Sequence, residues 1–223
     1  MLPLGDDNPT RIKPIITWSL IIINIVVFVW GLSLNPGLYE RAIQTYGFVP
    51  AVIASGKAYQ TFLTSMFLHG GLLHLAGNMW YLHVFGDNVE DLCGYLPYLA
   101  LYLICGLAGS LFQLLVEWGS MIPSIGASGA ISGVLGAYVA LFPNVRIRTA
   151  ITWGFLIRIA RLPAYVLIGF WFLYQVILGI FSVDASVAYW AHVGGFIAGL
   201  ISAQIFSRRR AMHPIFGTSY ITY

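Results

Sequence analysis

The sequence predicts an all-α, polytopic membrane protein, built as a bundle of six transmembrane helices. Of its 223 residues, 59% are hydrophobic and 9% are charged. A soluble domain usually carries about 25% charged residues, so this chain has too few charges to cover a surface exposed to water. Six apolar segments also follow one another along the chain. The expected spans are 15–34, 72–85, 93–116, 129–142, 162–181 and 188–206.

The first span follows a polar segment, residues 1–14, and is followed by a region that is harder to interpret. A signal peptide is an alternative for the first span, but its apolar core is as long as a full span and no small-residue cleavage pattern follows it. Residues 35–71 are interrupted by prolines and glycines. We therefore expect an interfacial first loop, made of short helices in or on the membrane surface.

Basic residues predict the orientation. They occur at Arg11 and Lys13, within 146–161 and at 208–210. Because cytoplasmic segments are enriched in Lys and Arg, an even number of spans with both termini inside satisfies all three groups. We expect a cytoplasmic N-terminal segment (1–14), a membrane domain (15–207) and a cytoplasmic tail (208–223), located in the plasma or inner membrane.

The net charge of +3 is modest, and the basic residues stand beside apolar spans. This distribution indicates contact with the lipid bilayer and no nucleic-acid partner. The sequence does not indicate an oligomeric state.

In this orientation, polar side chains gather at a similar depth below the outer membrane face. Ser128 begins the fourth span, and His192 lies about one turn into the sixth, roughly 6 Å down. His74 and Asn78 are four residues apart, and so share one face of the second span. Polar groups inside a membrane are costly, which makes these residues functional candidates.

Stripes of small residues on the fourth and sixth spans predict that these two helices pack closely. The stripes are Gly129, Gly133, Gly136 and Ala140 on one span, and Ala191, Gly195, Gly199 and Ala203 on the other. Small residues at four-residue spacing let helix backbones approach each other. Close approach would bring the His192 ring within hydrogen-bond reach of Ser128.

This set of residues suits nucleophilic catalysis. A serine hydroxyl needs a base to take its proton, and acyl transfer also needs hydrogen-bond donors for the developing oxyanion. The candidate donors are the Asn78 amide, the His74 ring and the backbone N–H of Ser128, which lies at a helix N-terminus. No acidic residue lies in the apolar part of these spans. We therefore expect a Ser–His dyad, with His192 oriented by packing.

Three motifs resemble those of the rhomboid family. His69 to Asn78 resembles its His-x4-His-x3-Asn motif, Gly126 to Gly129 its Gly-x-Ser-Gly, and Ala191 to Gly199, with His192 and Gly195, its Ala-His-x-x-Gly-x-x-x-Gly. The motifs occur in family order, and the resemblance covers about residues 59–203. It implies a six-helix, rhomboid-like serine endopeptidase that acts within the membrane. Ser128 would be the nucleophile, His192 the general base and acid, and His74, Asn78 and the Ser128 N–H the oxyanion hole.

The resemblance also implies transmembrane protein substrates, cleaved near the outer face and often after a small residue, with no metal or organic cofactor. Two features depart from the family pattern. The family's Trp-Arg pair, expected near Gln60 and Thr61, is absent. Ser132 stands where some members carry an aromatic residue that stacks on the catalytic histidine. His192 is therefore expected to be positioned in some other way.

Other interpretations remain open. The chain could be a non-catalytic rhomboid-like protein that binds membrane helices, which would need neither Ser128 nor His192. It could be a small transporter or channel, or hold a metal at His69, His74 and His192, although His69 and His74 would not share a helix face. Individual residues also have structural alternatives. Ser128 could be a small packing residue and His192 a core polar group, His74 and Asn78 could join helices, His69 could hydrogen-bond within its loop, and Glu90 could cap a helix.

Overall fold

The computed structural model describes residues 1–153, 156–184 and 186–206. The helices are α1 (Ile15–Ser33), α2 (Pro36–Tyr46), α3 (Pro50–Ala54), α4 (Thr61–Thr64), α5 (Leu72–Cys93), α6 (Tyr95–Val116), α7 (Ser128–Leu141), α8 (Ala164–Phe181) and α9 (Tyr189–Ala203). The strands are β1 (Leu2–Asp6), β2 (Arg146–Trp153) and β3 (Leu156–Pro163), and a 3₁₀ turn covers Ser65–Phe67.

Six helices lie on the six apolar segments that the sequence singles out. Three of them, α1, α6 and α8, are long and apolar enough to cross a membrane. The second segment was predicted to end at residue 85, but α5 continues to Cys93, and Gly94 follows it with a φ of +83°. At 14 residues α7 is only about 21 Å long, so the six-span count stays a prediction.

The prediction of an all-α chain is wrong in one respect, because the described residues include a three-stranded antiparallel sheet in the order β1-β2-β3. In β2, Ile147 and Thr149 are fully buried whereas Arg146 and Arg148 are exposed. This alternation is typical of a strand with one covered face. The basic region after α7 is therefore a hairpin, and the polar N-terminal segment supplies its third strand. The predicted tail 208–223 lies outside the described residues.

Side chains from the helices hold β1 against the bundle. The Asp6 carboxylate accepts hydrogen bonds from the hydroxyl of Tyr138 on α7 and from Asn88 Nδ2 on α5, the latter at 3.0 Å. Further along the strand, Trp80 Nε1 donates to the Pro3 carbonyl at 2.6 Å. The sheet is thus attached to the ends of α7 and α5 that lie away from Ser128.

Residues 35–71 form the predicted short helices. Asn35 caps α2 by accepting a 2.9 Å hydrogen bond from the Leu38 N–H, and Pro36 occupies the first turn, where its missing N–H costs nothing. An antiparallel bridge joins Phe48 to Ser124, which ties this region to the segment before α7. Its position at the membrane surface stays a prediction.

Glu90 caps a helix, which confirms its structural interpretation. Its fully buried carboxylate accepts hydrogen bonds from the Ile16 and Thr17 N–H groups, each at 2.8 Å, and from the Thr17 hydroxyl at 2.7 Å. A carboxylate at a helix N-terminus satisfies free N–H groups and interacts favourably with the helix dipole. Glu90, on α5, therefore fixes the start of α1.

The close packing of α7 and α9 is confirmed. A Cβ added at Gly195 would lie 2.0 Å from the Gly129 carbonyl oxygen, and one at Gly199 would lie 1.9 Å from that of Gly133. These distances leave no room for any side chain. Gly129 itself has more space, since a Cβ added there would lie 3.6 Å from the Ala191 carbonyl oxygen. Gly136 of α7 is tight again, since a Cβ there would lie 2.2 Å from the Phe196 carbonyl oxygen. Small residues of both helices therefore set their separation.

Candidate active site

Ser128 is the first residue of α7, and the turn before it depends on Gly126. Gly126 has a φ of +117°, which side-chain-bearing residues rarely adopt, and its N–H donates to the Ser65 carbonyl at 2.9 Å. A Cβ at this position would lie 2.7 Å from His74 Nε2. The glycine thus lets the backbone before Ser128 pass directly against the His74 ring.

The structure brings Ser128 and His192 into contact. The Ser128 Oγ and His192 Nε2 atoms are 2.8 Å apart, which is hydrogen-bond distance. His192 is buried in the first turn of α9, at the end where α9 packs closely on α7. The hydroxyl can donate to Nε2 when the ring carries its proton on Nδ1. This is the geometry that a nucleophile and its base require.

Packing alone does not orient His192, which corrects the expectation from the sequence. Its Nδ1 atom lies 2.8 Å from Oε1 of Gln175, a buried residue of α8. The sequence interpretation missed Gln175. The sequence does offer a signal for Gln175, because it is a single amide side chain in an otherwise apolar span. Polar residues in such spans are often functional.

Aromatic side chains also surround the His192 ring, although Ser132 supplies none. The Trp171 ring of α8 lies 6.2 Å from it at a tilt of 37°, and the Tyr189 ring lies 6.4 Å away, edge-on. The Ser132 hydroxyl instead donates to the Ser128 carbonyl at 2.6 Å within α7. The ring is therefore enclosed by neighbours from α8 and α9.

A cavity of about 520 Å³ connects the predicted site residues. Its lining includes Ser128 and His192 together with His74, Asn78 and Gln175. The remaining wall is mainly apolar and includes Leu73, Tyr81, Ile131, Leu135 and Trp171. A second cavity of about 380 Å³ shares Tyr81, Leu135, Trp171 and Gln175 with the first. Both volumes fall within the range of about 300–1,000 Å³ that is typical of ligand-binding pockets.

His74 and Asn78 line this cavity from one face of α5, as their spacing predicts. Asn78 Nδ2 donates to the His74 carbonyl at 3.0 Å, which uses one of its two amide hydrogens. The second hydrogen remains available to a bound group. His74 thus flanks the glycine turn while Asn78 lies one helical turn further along α5.

His69 lies outside the lining of this cavity and is fully buried. Its ring is edge-on to that of His74 at 5.0 Å, and the Tyr39 hydroxyl donates to its backbone carbonyl. The pKa of His69 is lowered to about 4, mainly because the ring is buried and secondly because His74 is close. A neutral ring packed against His74 is a structural support for that side chain.

The described residues contain no group of three His, Cys, Asp or Glu side chains that could hold a metal ion. His192 makes its contacts with Ser128 and Gln175, and His69 and His74 pack on each other. The three histidines of the metal interpretation therefore do not converge on one point in the part of the chain that the structure describes.

The family model and the curated relatives that match this chain name the same family. A family model described as the Rhomboid domain matches residues 56–209. Curated relatives include "Rhomboid protein 1, mitochondrial" of Saccharomyces cerevisiae, which is 35% identical over 59% of this chain and 38% of its own length. "RHOMBOID-like protein 5" of Arabidopsis thaliana is 37% identical over 61% of this chain and 40% of its own length.

A third relative matches more of the sequence. "Rhomboid protease GluP" of Bacillus subtilis is 34% identical over 86% of this chain, although the match covers only 34% of that relative. The chain thus corresponds to between about a third and two fifths of the length of these three proteins.

Proposed function

The chain belongs to the rhomboid family, and from that premise we propose that it is a serine endopeptidase that cleaves transmembrane-helix substrates within the membrane. The observation that carries this proposal is the 2.8 Å contact between Ser128 Oγ and His192 Nε2, at the wall of a cavity. The proposed activity is also supported by a relative whose name describes it as a protease. A protein that only binds helices would need neither Ser128 nor His192.

In the proposed reaction, Ser128 Oγ attacks the carbonyl carbon of the scissile peptide bond while His192 Nε2 takes the hydroxyl proton. The tetrahedral intermediate then collapses, the C–N bond breaks, and His192 delivers that proton to the leaving amine. Water attacks the resulting ester with His192 again as the base, which frees the second product and restores the Ser128 hydroxyl. No metal or organic cofactor takes part in this scheme.

The negative charge of the intermediate needs donors near Ser128. We assign this role to the free amide hydrogen of Asn78, the His74 ring and the Ser128 backbone N–H. Two observations support the assignment: Asn78 and His74 line the same cavity as Ser128, and Ser128 is the first residue of α7. The first N–H groups of a helix have no partner within the helix and favour negative charge.

We further propose that cleavage occurs near the outer face of a plasma or inner membrane, with both termini in the cytoplasm. Ser128 begins α7, whereas Arg146 and Arg148 follow its opposite end. Arginines beside a membrane helix mark its cytoplasmic side. The active serine would then lie near the other side, where water can reach it.

The test combines an activity-based probe with a substrate. Purified protein in micelles is treated with a fluorescent fluorophosphonate, and separately with a model transmembrane helix that carries small residues. We expect labelling and cleavage by the wild type, and loss of at least about 10³-fold in both for Ser128→Ala and His192→Ala. Ser19→Ala and His83→Ala are matched controls, because these side chains lie outside the cavity.

Two results would contradict the proposal. Cleavage by Ser128→Ala at the wild-type rate would remove Ser128 as the nucleophile. Binding of model helices without labelling or cleavage by the wild type would favour the non-catalytic, helix-binding alternative.

A further inference from the structure

We propose that Gln175 is the positioning residue of the site, and that it selects the ring tautomer in which His192 can act as a base. This inference rests on the proposed function. It is supported by the 2.8 Å distance between Gln175 Oε1 and His192 Nδ1, on the side of the ring opposite to Ser128.

The selection follows from the chemistry of the two groups. A neutral imidazole carries one proton, and a carbonyl oxygen can only accept a hydrogen bond. Contact with Gln175 Oε1 therefore requires the proton to be on Nδ1 of His192. Nε2 then has a free lone pair, and this is the atom that faces the Ser128 hydroxyl. The opposite tautomer would leave Nδ1 and Oε1 as two acceptors facing each other, and would present Ser128 with a donor.

The position of Gln175 in α8 supports a specific role. Gln175 is buried, whereas the apolar side chains at Leu173, Tyr174 and Ile177 are exposed on the outside of the same helix. Burying an amide without a partner is costly in an apolar medium, so its hydrogen bond to His192 favours this position of the side chain. The contact also links α8 to α9 beside the cavity.

An amide also suits the membrane better than the carboxylate of the usual triad. An ionised carboxylate at this depth would need to be desolvated, which is expensive in a medium of low dielectric constant. The amide dipole fixes the ring and its tautomer without adding a charge. Gln175 thereby supplies the orientation that the aromatic residue missing at Ser132 provides in some relatives.

The first experiment compares Gln175→Met with Gln175→Glu. Methionine approximates the size of glutamine but accepts no strong hydrogen bond, whereas glutamate keeps an accepting oxygen at the same reach. We expect kcat of Gln175→Met to fall roughly 10- to 100-fold with little change in KM, which is part of the 10²–10⁴-fold that a positioned base supplies. Gln175→Glu should retain more activity than Gln175→Met but less than wild type, because it keeps an accepting oxygen and adds a charge that is costly to desolvate.

The second experiment reads the tautomer directly and needs no substrate. The ¹⁵N shifts of the His192 ring, measured in the full chain labelled at histidine, distinguish a protonated Nδ1 from a protonated Nε2. We expect a ring with its proton on Nδ1 in the wild type and in Ser128→Ala, and a larger share of the Nε2 form in Gln175→Met.

The matched control is Gln113→Met. Gln113 is a buried glutamine on α6 that also bonds α9, since its Oε1 accepts a 3.0 Å hydrogen bond from the Ala191 N–H. Its contact is with the backbone and not with the His192 ring. Gln113→Met should lower thermal stability about as much as Gln175→Met, yet leave the His192 tautomer as in the wild type.

The proposal is overturned if Gln175→Met keeps the wild-type tautomer, or if its kcat stays within twofold of wild type. It is equally overturned if Gln113→Met shifts the tautomer to the same extent. Cleavage by Ser128→Ala would instead contradict the proposed function, and the tautomer measurement would still decide the role of Gln175.

Discussion

Asn78 makes a structural hydrogen bond in addition to the oxyanion role that we propose for it. Its amide nitrogen already donates one hydrogen bond to the His74 carbonyl within α5, so the side chain is held in place before any substrate arrives. A preorganised donor stabilises a transition state without the cost of reorganisation. The remaining hydrogen of the same nitrogen is the one that we assign to the oxyanion.

Replacing Asn78 by Ala should therefore affect kcat more than KM. Removing one oxyanion-hole donor typically costs about 10²–10³ in kcat. We expect a loss of this size in steady-state cleavage of a model transmembrane substrate, with KM within about threefold of wild type. Thr64→Ala is a control outside the cavity, since the Thr64 hydroxyl bonds the Tyr46 carbonyl. A rise in KM with kcat unchanged would assign Asn78 to substrate binding instead.

Residue types predicted much of the candidate site, but not all of it. Ser128, His192, His74 and Asn78 stand in recognisable spacings on three helices, and the structure places all four around one cavity. Gln175 belongs to no such motif, and its importance depends on which atom of His192 it meets. Spacing along one helix does not reveal a contact between α8 and α9.

At the scale of elements, glycines on both α7 and α9 set how closely the two helices approach each other. Gly199→Ala would place a Cβ 1.9 Å from the Gly133 carbonyl oxygen, so the helices must separate. Overpacking of this kind costs about 1–3 kcal/mol or more. We expect a clear fall in the thermal unfolding temperature in micelles, together with loss of probe labelling as the Ser128–His192 distance grows.

Gly169→Ala is the matched control for this prediction. Gly169 also lies within a helix, α8, but a Cβ there would have no heavy atom within 4 Å. Because alanine favours helix by up to about 1 kcal/mol over glycine, this variant should be as stable as wild type or slightly more so. Equal stability of Gly169→Ala and Gly199→Ala would contradict the packing argument.

Helices and strands could be predicted where they depend on a continuous stretch of sequence. They could not be predicted where they depend on pairing between segments that are far apart in the chain. The six apolar helices follow from continuous hydrophobic runs. The sheet pairs residues 2–6 with 147–150, and no local pattern reveals such a pairing. The sequence of β2 did contain a strand pattern, because charged Arg146 and Arg148 alternate with Ile147 and Thr149. The structure buries the latter two side chains. The arginines instead suggested a cytoplasmic loop.

At the scale of the whole molecule, the outer surface suits a surrounding bilayer. Large apolar side chains are exposed along the candidate spans, with Val26 at 60% on α1 and Phe181 at 73% on α8. Contiguous apolar surface of this kind is rare on soluble monomers. Lipid chains would cover it, while the polar groups of the cavity face inward.

The stability of the whole molecule should depend on pH through Asp6. Burial raises the pKa of Asp6 to about 6, opposed by the hydrogen bond from Tyr138. Between about pH 4 and pH 6 the folded protein therefore binds more protons than the unfolded chain, and stability falls as pH rises through this window. A shift of about two units corresponds to about 2–3 kcal/mol.

Asp6→Asn should remove this contribution, because asparagine still accepts the Tyr138 hydrogen bond but does not ionise. We expect the stability of the variant relative to wild type to increase by up to about 2–3 kcal/mol between pH 4 and pH 7. Thermal unfolding in micelles across this range provides the measurement. A constant difference between the two proteins would show that Asp6 does not titrate in this window.

The junction of the sheet with α8 has a mechanical consequence. Strand β3 ends at Pro163 and α8 begins at Ala164, so no loop separates them, and the Ala164 N–H donates to the Val145 carbonyl at 2.9 Å. Proline fixes its own φ, so one of the few torsions at this junction is restricted, and the hydrogen bond restricts it further. A tilt of α8 relative to the hairpin must therefore change the geometry of this junction. The same helix carries Gln175, so the junction bears on where that side chain lies.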